Sequence, residues 1–266
     1  MVNVGVCQFA PSNDKQANLA RAGELLDQAA AVGAEVAVLP EYSMFTVPVV
    51  DERFVESAEP LDGEFVTGLR GLAKAHALTV VAGINEALPD EDRISNTLVA
   101  CGPDGGITAL YRKIHLYDAF GHRESDRVRA GVIGSPETFE IDGVVFGMQT
   151  CYDLRFPEVT RRLVDAGVTA LLLPAEWVPG PLKEDHWRTL VRARAIENTI
   201  YVAAADQSTP TGSGTSMIVD PMGVVVTSLG EQVGTAVGAV SRNRLHSVRT
   251  KNPALELRRF DVTPRG

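Results

Sequence analysis

The stretch Val144-Val145-Phe146-Gly147-Met148-Gln149-Thr150-Cys151-Tyr152-Asp153-Leu154-Arg155-Phe156-Pro157-Glu158 joins an apolar run to a cysteine and a polar turn. Because the run follows Asp142-Gly143, a pair typical of tight turns, it predicts a buried strand that ends near Cys151. A thiol at a strand end is held rigidly and can face a cleft, where the amides of a following helix favour a thiolate or an oxyanion. The alternative is a small core residue, the commonest role of a lone cysteine in an apolar strand.

Composition and charge exclude several classes of function. The chain has 266 residues, enough for one large layered domain or two small ones. Its 25 basic and 34 acidic residues give a formal charge of −9, which disfavours a nucleic-acid partner. No apolar run approaches the roughly 20 residues that span a bilayer, and the N-terminus lacks a signal-peptide pattern. We therefore expect a cytoplasmic protein with no membrane partner.

Cysteine and histidine spacing argues against a disulfide framework or a metal centre. Cys7, Cys101 and Cys151 are odd in number and widely separated, with no CxxC pair. The histidines show no metal-ligand spacing. We expect three reduced thiols and no metal site.

The rest of the chain alternates helical and strand patterns. Asn13-Asp14 offers a cap for a helix that stops at Gly33, and a strand over 35–39 then runs into Pro40-Glu41-Tyr42. The same order of helix, glycine, strand and Leu-Pro recurs about 134 residues later, at Leu173-Pro174-Ala175-Glu176-Trp177. This weak repeat predicts two similar half-units within one mixed α/β domain with outer helices.

Two further segments carry specific expectations. Alternation over 107–116 predicts a strand that contains Lys113 and places Tyr111, Lys113 and His115 on one face. Residues 241–266 are basic and weakly patterned, which predicts an extended tail that lies over its own domain or over a partner's.

Glu41, Lys113 and Cys151 are polar residues where core strands end or should be apolar. Each alone has an ordinary explanation, a solvated turn for the glutamate and an exposed strand edge for the lysine. Together they supply a nucleophile, a base for its proton and a cation for an acyl oxyanion. No GxSxG segment is present, so a serine-hydrolase elbow is excluded.

Three segments resemble, in order and spacing, the signatures of the nitrilase superfamily of carbon–nitrogen hydrolases: Leu39-Pro40-Glu41, Tyr111 to Leu116, and Cys151 to Glu158. The resemblance implies a four-layer αββα sandwich, with residues 1–266 as a single carbon–nitrogen hydrolase domain and no cofactor. It also implies a two-fold homodimer or higher homo-oligomer in which the C-terminal extension 241–266 packs on its own or the partner subunit.

The resemblance also implies the roles of site residues. The family's triad falls on Glu41, Lys113 and Cys151, and its second glutamate is best matched by Glu124. The backbone amide of Tyr152 would help Lys113 to stabilise the oxyanion while ammonia leaves and water hydrolyses the thioester.

The substrate is less sharply indicated. Cys-Tyr-Asp followed by Leu-Arg-Phe-Pro-Glu resembles the branch of ω-amidases and amidases of deaminated glutathione, which favours a small primary amide that bears a carboxylate. The alternatives are an N-carbamoyl-amine hydrolase, a nitrilase, an acyltransferase and a catalytically silent binding protein.

Trp177 is a candidate pocket wall or a core residue, and Glu176 is a candidate site residue at a strand end. Candidate carboxylate-binding cations are Arg123, Arg127, Arg155 and Lys183, although Arg155 has an alternative as an ion-pair partner of Asp153 or Glu158.

Overall fold

The structure is a computed structural model that describes residues 1–265. The strands are β1 (Val2–Gln8), β2 (Val36–Val38), β3 (Thr79–Glu86), β4 (Ser95–Cys101), β5 (Ile107–Arg112), β6 (Thr138–Ile141), β7 (Val144–Met148), β8 (Ala170–Ala175), β9 (Tyr201–Asp206), β10 (Met217–Val219), β11 (Val225–Ser228) and β12 (Gly234–Val240). The helices are α1 (Lys15–Ala31), α2 (Glu52–Glu56), α3 (Glu64–His76), α4 (Pro157–Asp165), α5 (Lys183–Asn198) and α6 (Arg242–Lys251), with short 3-10 helices at Glu124–Asp126 and Cys151–Arg155.

The strands form two six-stranded sheets that pack face to face. One sheet has the order β12-β1-β2-β3-β4-β5 and the other the order β6-β7-β8-β9-β10-β11. Val4, Val38 and Val81 of the first sheet share a buried cluster with Phe146 and Leu172 of the second. Separate clusters join the outer faces to α1 and α3 and to α5. The predicted four-layer αββα sandwich is confirmed.

The weak sequence repeat corresponds to equivalent positions in the two sheets. In the first sheet β1, β2 and β3 are parallel and β4 and β5 follow as antiparallel neighbours, and β7 to β11 repeat that scheme in the second. Glu41 follows β2, and Glu176 follows the equivalent strand β8. The repeat therefore marks two strand ends that meet at the same edge of the sandwich.

Several local predictions need correction. Strand β5 ends at Arg112, not Leu116. The Asp153 carboxylate accepts a hydrogen bond from the backbone N–H of His115 and lies 2.8 Å from Nδ1 of the same residue. These contacts turn the chain away from the sheet. The tail does not begin as an extended segment: Ser241 caps α6, whose Val248 is buried. Helix α2 and strand β6 were not predicted. The turn at Asp142-Gly143 is confirmed, with both residues at positive φ, as a two-residue hairpin requires.

Within residues 1–265, no helix is long and apolar enough to cross a membrane.

Candidate active site

Cys151 lies at a strained turn between β7 and α4. Its φ is +41°, in the left-handed region that non-glycine residues rarely adopt. Asp153 fixes the turn from within, because its buried carboxylate accepts hydrogen bonds from the N–H of Thr150 at 3.2 Å and from the hydroxyl of Tyr111 at 2.6 Å. Strain of this kind persists only where the surroundings over-determine the backbone, and it is concentrated at functional sites. The side chain of Cys151 is 6% exposed, and its thiol donates to the carbonyl oxygen of Glu176 at 3.5 Å.

Lys113 links two buried carboxylates beside this cysteine. Its Nζ lies 2.8 Å from Oε1 of Glu41 and 2.9 Å from Oε2 of Glu124. The lysine is only 2% exposed, although it follows directly after β5. The structure thus brings Glu41, Lys113, Glu124 and Cys151 together from four separate parts of the chain, and the lysine is held in place by both carboxylates.

Two residues that sequence analysis did not select complete this network. Nδ2 of Asn96 donates to Oε1 of Glu41 at 2.7 Å and to Oε1 of Glu124 at 3.0 Å. The Tyr42 hydroxyl donates to Oε1 of Glu124 at 2.7 Å. An available signal was the polar start of strand β4, Ser95–Cys101, whose later residues are apolar, since a buried amide needs partners.

Glu41 is fixed on its other sides by the second half of the chain. Its Oε2 accepts a hydrogen bond from the N–H of Glu176 at 2.7 Å, and its carbonyl oxygen accepts one from Gln207 Nε2 at 2.9 Å. Its backbone also packs against Gly83 of β3, where an added Cβ would lie 2.7 Å from the Glu41 Cα and 2.6 Å from the Tyr42 nitrogen. A glycine is required there for the loop after β2 to approach the sheet.

The electrostatics of the site favour a protonated thiol next to a protonated lysine. Burial and the negative charge of Glu41 raise the pKa of Cys151 well above its usual value, and Lys113 only partly opposes this. Burial would lower the pKa of Lys113, but the charges of Glu124 and Glu41 raise it well above its usual value. Burial would raise the pKa of Glu124, but Lys113 and hydrogen bonds hold it below its usual value. A proton on sulfur and a neighbouring carboxylate suit general-base activation of the thiol at the moment of attack.

Glu176 behaves differently from the other two glutamates. Burial and the adjacent charge of Glu41 raise the pKa of Glu176 well above its usual value, and its Oε2 is 3.4 Å from the Thr46 hydroxyl. Such surroundings disfavour the ionised form of the carboxyl group, and the Thr46 hydroxyl donates to it.

A cavity of about 420 Å³ opens onto these residues. The polar end holds Glu41, Lys113, Glu124, Cys151 and Glu176. The rest of the lining is mainly apolar and aromatic: Tyr42, Val47, Pro48, Val49, Val50, Phe54, Tyr117 and Val178, together with Gly121, His122, Arg123 and Asp126. This volume and mixed lining suit a small organic substrate.

Trp177 and Tyr152 lie next to the cavity without lining it. Trp177 is buried, donates from its indole nitrogen to the Lys183 carbonyl oxygen and packs against Trp187, as expected of a core residue. The ring of Tyr152 packs edge-on against Tyr117. Its backbone directly follows Cys151 in the 3-10 helix.

The four candidate carboxylate-binding cations differ in the residues that surround them. Arg127 pairs with Glu52, and the side chain of Arg123 is 76% exposed and lies 3.8 Å from Asp126. Arg155 pairs with neither Asp153 nor Glu158, so the ion-pair alternative was wrong; the Asp153 carboxylate is occupied by other donors. Arg155 and Lys183 instead lie together against aromatic rings.

No group of histidine, cysteine and carboxylate side chains within residues 1–265 is arranged to hold a metal ion.

Comparisons with known proteins agree with this geometry. Residues 3–250 match the carbon-nitrogen hydrolase family. A deaminated glutathione amidase of Escherichia coli is 39% identical over 258 residues, with 97% of each chain covered. The omega-amidase NIT2 of Mus musculus is 32% identical over 273 residues, with 97% of this chain and 95% of the relative covered. Saccharomyces cerevisiae Nit3, a member of branch 10 of the nitrilase superfamily, has a crystal structure similar to this one at a TM-score of 0.85 and 28% identity, with 97% of each chain covered.

A buried thiol, carboxylate and ammonium at the strand ends of an αββα sandwich define a thiol-dependent hydrolase. The chain belongs to the carbon–nitrogen hydrolase family, in the nitrilase superfamily. The predicted family and amidase class are confirmed by the family match and the named amidase relatives.

Proposed function

We propose that this enzyme hydrolyses the primary amide of a small linear carboxylic acid through a thioester on Cys151, with release of ammonia. The observation that carries the proposal is the position of Lys113, clamped between Glu41 and Glu124 at the polar end of the cavity that Cys151 lines. The names of the two amidase relatives support an amide over a nitrile. Residues 1–266 act as a single catalytic domain in this proposal.

Acylation begins with proton transfer from the thiol of Cys151 to Glu41 as sulfur bonds to the carboxamide carbon. Negative charge develops on the amide oxygen, where Nζ of Lys113 and the N–H of Tyr152 stabilise it. Glu41 then returns the proton to the amide nitrogen, the C–N bond breaks, and ammonia leaves. The acyl group remains on sulfur as a thioester.

Deacylation repeats the steps with water. Glu41 removes a proton from a water molecule as its oxygen bonds to the thioester carbon, and Lys113 again faces the oxyanion. The C–S bond breaks, the sulfur recovers a proton from Glu41, and the carboxylic acid departs. Glu124 acts through Lys113 and is a positioning residue, and Glu176 lines the cavity beside them.

The test is product analysis with a panel of ω-amides, N-carbamoyl amino acids and nitriles, in which ammonia and carbon dioxide are both measured. We expect ammonia without carbon dioxide from the ω-amides, and loss of that activity in Cys151→Ala. Cys101→Ala is the matched control, because Cys101 is also a buried free thiol but does not line the cavity. Carbon dioxide release, preference for nitriles, or an active Cys151→Ala enzyme contradicts the proposal.

We also propose a homodimer in which the C-terminal extension 241–266 contributes to the interface. Support comes from two large apolar side chains of the extension: Phe260 is 86% exposed and Leu257 70% exposed. Arg258 between them pairs with Asp165 at the end of α4, which holds the extension beside that helix. Light scattering should show a dimer, and the double variant Leu257→Ser, Phe260→Ser should shift the protein toward a monomer. An unchanged mass for the double variant contradicts this arrangement.

We further propose a cytoplasmic location. It is supported by Cys7, Cys101 and Cys151, which are all free thiols in the described residues 1–265 and fit a reducing compartment. Cell fractionation tests it, and recovery of the protein from a secreted fraction contradicts it.

A further inference from the structure

One carboxylate joins the segment that carries the nucleophile to the segment that carries the lysine. Asp153 lies two residues after Cys151, and its side chain is fully buried. Its Oδ2 accepts a 2.6 Å hydrogen bond from the Tyr111 hydroxyl, and its Oδ1 accepts one from the backbone N–H of His115 at 3.0 Å. Tyr111 and His115 lie two residues before and two residues after Lys113. The same carboxylate therefore holds the chain on both sides of the lysine.

The ring of His115 makes a further contact with this carboxylate. Its Nδ1 lies 2.8 Å from Oδ1 of Asp153. An ionised carboxylate can only accept hydrogen bonds, so Nδ1 carries a proton in both the neutral and the charged form of the ring. The ring also stacks on Phe156, with centroids 3.7 Å apart and planes 6° apart. His115 is thus held by one donor contact and one stacking contact, which different substitutions remove separately.

His115 is the sole basic partner of the buried carboxylate. Among residues 1–265, no other basic side chain lies within 4.0 Å of the Asp153 oxygens. Removal of one partner of a buried, hydrogen-bonded group costs much more than the pair contributes, because the remaining group keeps its desolvation penalty. Asp153 is therefore expected to move when the His115 donor is lost.

The remaining contacts of Asp153 fix the turn of the nucleophile. Its Oδ2 accepts a hydrogen bond from the N–H of Thr150 at 3.2 Å, and its own N–H donates to the Thr150 carbonyl oxygen at 2.9 Å. Cys151 lies between these two residues with a φ of +41°. A non-glycine residue keeps such a backbone only where its surroundings over-determine it. A displacement of Asp153 therefore displaces the thiol.

The proposed chemistry needs the thiol and the lysine at a fixed separation. Sulfur attacks the amide carbon while Nζ of Lys113 faces the oxygen of the same group, so an error in either position weakens the stabilisation of the oxyanion. Glu41 and Glu124 fix Nζ of the lysine, but neither bonds to the turn of Cys151 through the lysine backbone. A displacement of about 1 Å between reacting groups can cost about 10²-fold in rate.

We propose that His115 and Asp153 form a positioning pair that sets the distance between the nucleophile and the lysine that stabilises the oxyanion. This inference rests on the proposed hydrolytic mechanism and adds His115 to it. The histidine does not line the cavity and acts through Asp153, so it is a positioning residue. Tyr111 supports the pair from the other side of the lysine.

The kinetic test removes the two contacts of the His115 ring one at a time, with the monoamide of glutaric acid as substrate. His115→Phe keeps the stack on Phe156 and removes the donor, so kcat should fall by about 10-fold or more with KM unchanged. His115→Asn keeps a donor near the position of Nδ1 and should recover most of that loss. His76→Phe, on the outer helix α3, is the matched control. A normal kcat in His115→Phe, or an equal loss in His115→Asn, overturns the proposal.

A milder variant covers the case in which His115→Phe does not fold. Tyr111→Phe removes one hydroxyl from the Asp153 carboxylate and should also lower kcat with KM unchanged. Tyr201→Phe is its control, because Tyr201 is a buried tyrosine of β9 in the core between the two sheets. Circular dichroism melts establish that each protein is folded at the assay temperature. A Tyr111→Phe protein that melts earlier but keeps its kcat shows a purely structural role and overturns the proposal.

Two measurements separate this inference from the amidase proposal. Nitrophenyl acetate acylates a thiol without releasing an amine, so its nitrophenolate burst reports the thiol and the oxyanion site alone. If the wild type gives a burst but hydrolyses no amide, the amidase proposal fails; a slower burst in His115→Phe then supports the pair, and an equal burst overturns it. In nitrogen NMR spectra of protein with isotope-labelled histidine, the wild-type His115 ring should be protonated at Nδ1, and Asp153→Asn should change that signal. A His115 ring protonated only at Nε2 overturns the proposal.

Discussion

The backbone N–H of Glu176 donates a 2.7 Å hydrogen bond to Oε2 of Glu41. These residues end equivalent strands of the two sheets, β8 and β2, so one hydrogen bond joins the halves of the sandwich at the proposed base. The same residue's carbonyl oxygen faces the Cys151 thiol. The backbone of Glu176 therefore contacts both partners of the proposed proton transfer. Four predictions test this network.

Glu41→Gln should reduce kcat/KM by about 10²–10⁴, the usual contribution of a general base. The same change should lower the pKa of the Cys151 thiol, because the negative charge of Glu41 helps to raise it. Titration of the thiolate by ultraviolet absorbance measures that shift. Glu158→Gln, on the exposed side of α4, is the control. A Glu41→Gln enzyme with a more acidic thiol and full activity would show that thiolate formation alone suffices and that no base is needed.

Glu176→Gln should keep most activity at neutral pH, since Glu176 contacts Glu41 and Cys151 through its backbone N–H and carbonyl oxygen, which the change retains. The pKa of Glu176 is higher in the folded state than in the unfolded state. The wild type therefore loses stability as pH rises above the unfolded-state pKa, because the carboxyl group then ionises more readily in the unfolded chain. The free energy of unfolding of Glu176→Gln relative to the wild type should therefore increase with pH. Urea denaturation across a pH series measures it, and a difference independent of pH argues for an ionised Glu176.

Glu124→Gln should destabilise the fold by about 1–3 kcal/mol at neutral pH, because a buried carboxylate that accepts from Lys113, Tyr42 and Tyr117 is replaced while Lys113 keeps Glu41 as its partner. The folded-state pKa of Glu124 is lowered, so its contribution is present above the unfolded pKa and is lost as pH falls through the folded value. The difference in unfolding free energy should shrink over that acidic range. Denaturation at several pH values checks this, and an undiminished difference at acidic pH would mean that packing, not charge, explains the loss.

Gly83→Ala should lower activity by displacing the loop that carries Glu41, since the new Cβ would lie within 3 Å of two of its backbone atoms. Alkylation of Cys151 should remain possible, because the atoms nearest the added Cβ belong to Glu41 and Tyr42. Gly71→Ala is the matched control: it has open space around the added Cβ within helix α3 and should gain up to about 1 kcal/mol of stability. Equal activities of the two variants would refute the close-approach explanation.

The alternation of elements and the polar residues at three strand ends were predicted well from the sequence, because long apolar runs and Gly or Pro stops are local signals. The first helix, expected between the Asn13-Asp14 cap and Gly33, is α1 over Lys15–Ala31. The end of β5 was misplaced because the turn after Lys113 is made by Asp153, a residue 38 positions from His115. Long-range hydrogen bonds of this kind leave no periodic pattern in the segment that they redirect.

The candidate site shows the same difference between local sequence signals and long-range contacts. Glu41, Lys113 and Cys151 were selected because charged or reactive groups stand at strand ends, and the structure brings them together with Glu124. Asn96 and Tyr42 were not selected, because their importance depends on which carboxylates they meet across the sheet. Among the candidate carboxylate-binding cations, Arg123 and Arg127 lie beside acidic residues, whereas Arg155 lies over the Trp177 ring. Only three-dimensional contacts reveal this difference.

The central claim is that Cys151 carries the acyl group of an amide substrate. Rapid-quench mass spectrometry of the intact wild-type enzyme during turnover of glutaric monoamide tests this most directly. We predict a mass increase equal to the acyl group, localised by peptide mapping to Cys151. Continued release of ammonia with Cys151 unmodified at every time point, including in a variant that slows deacylation, would contradict the account.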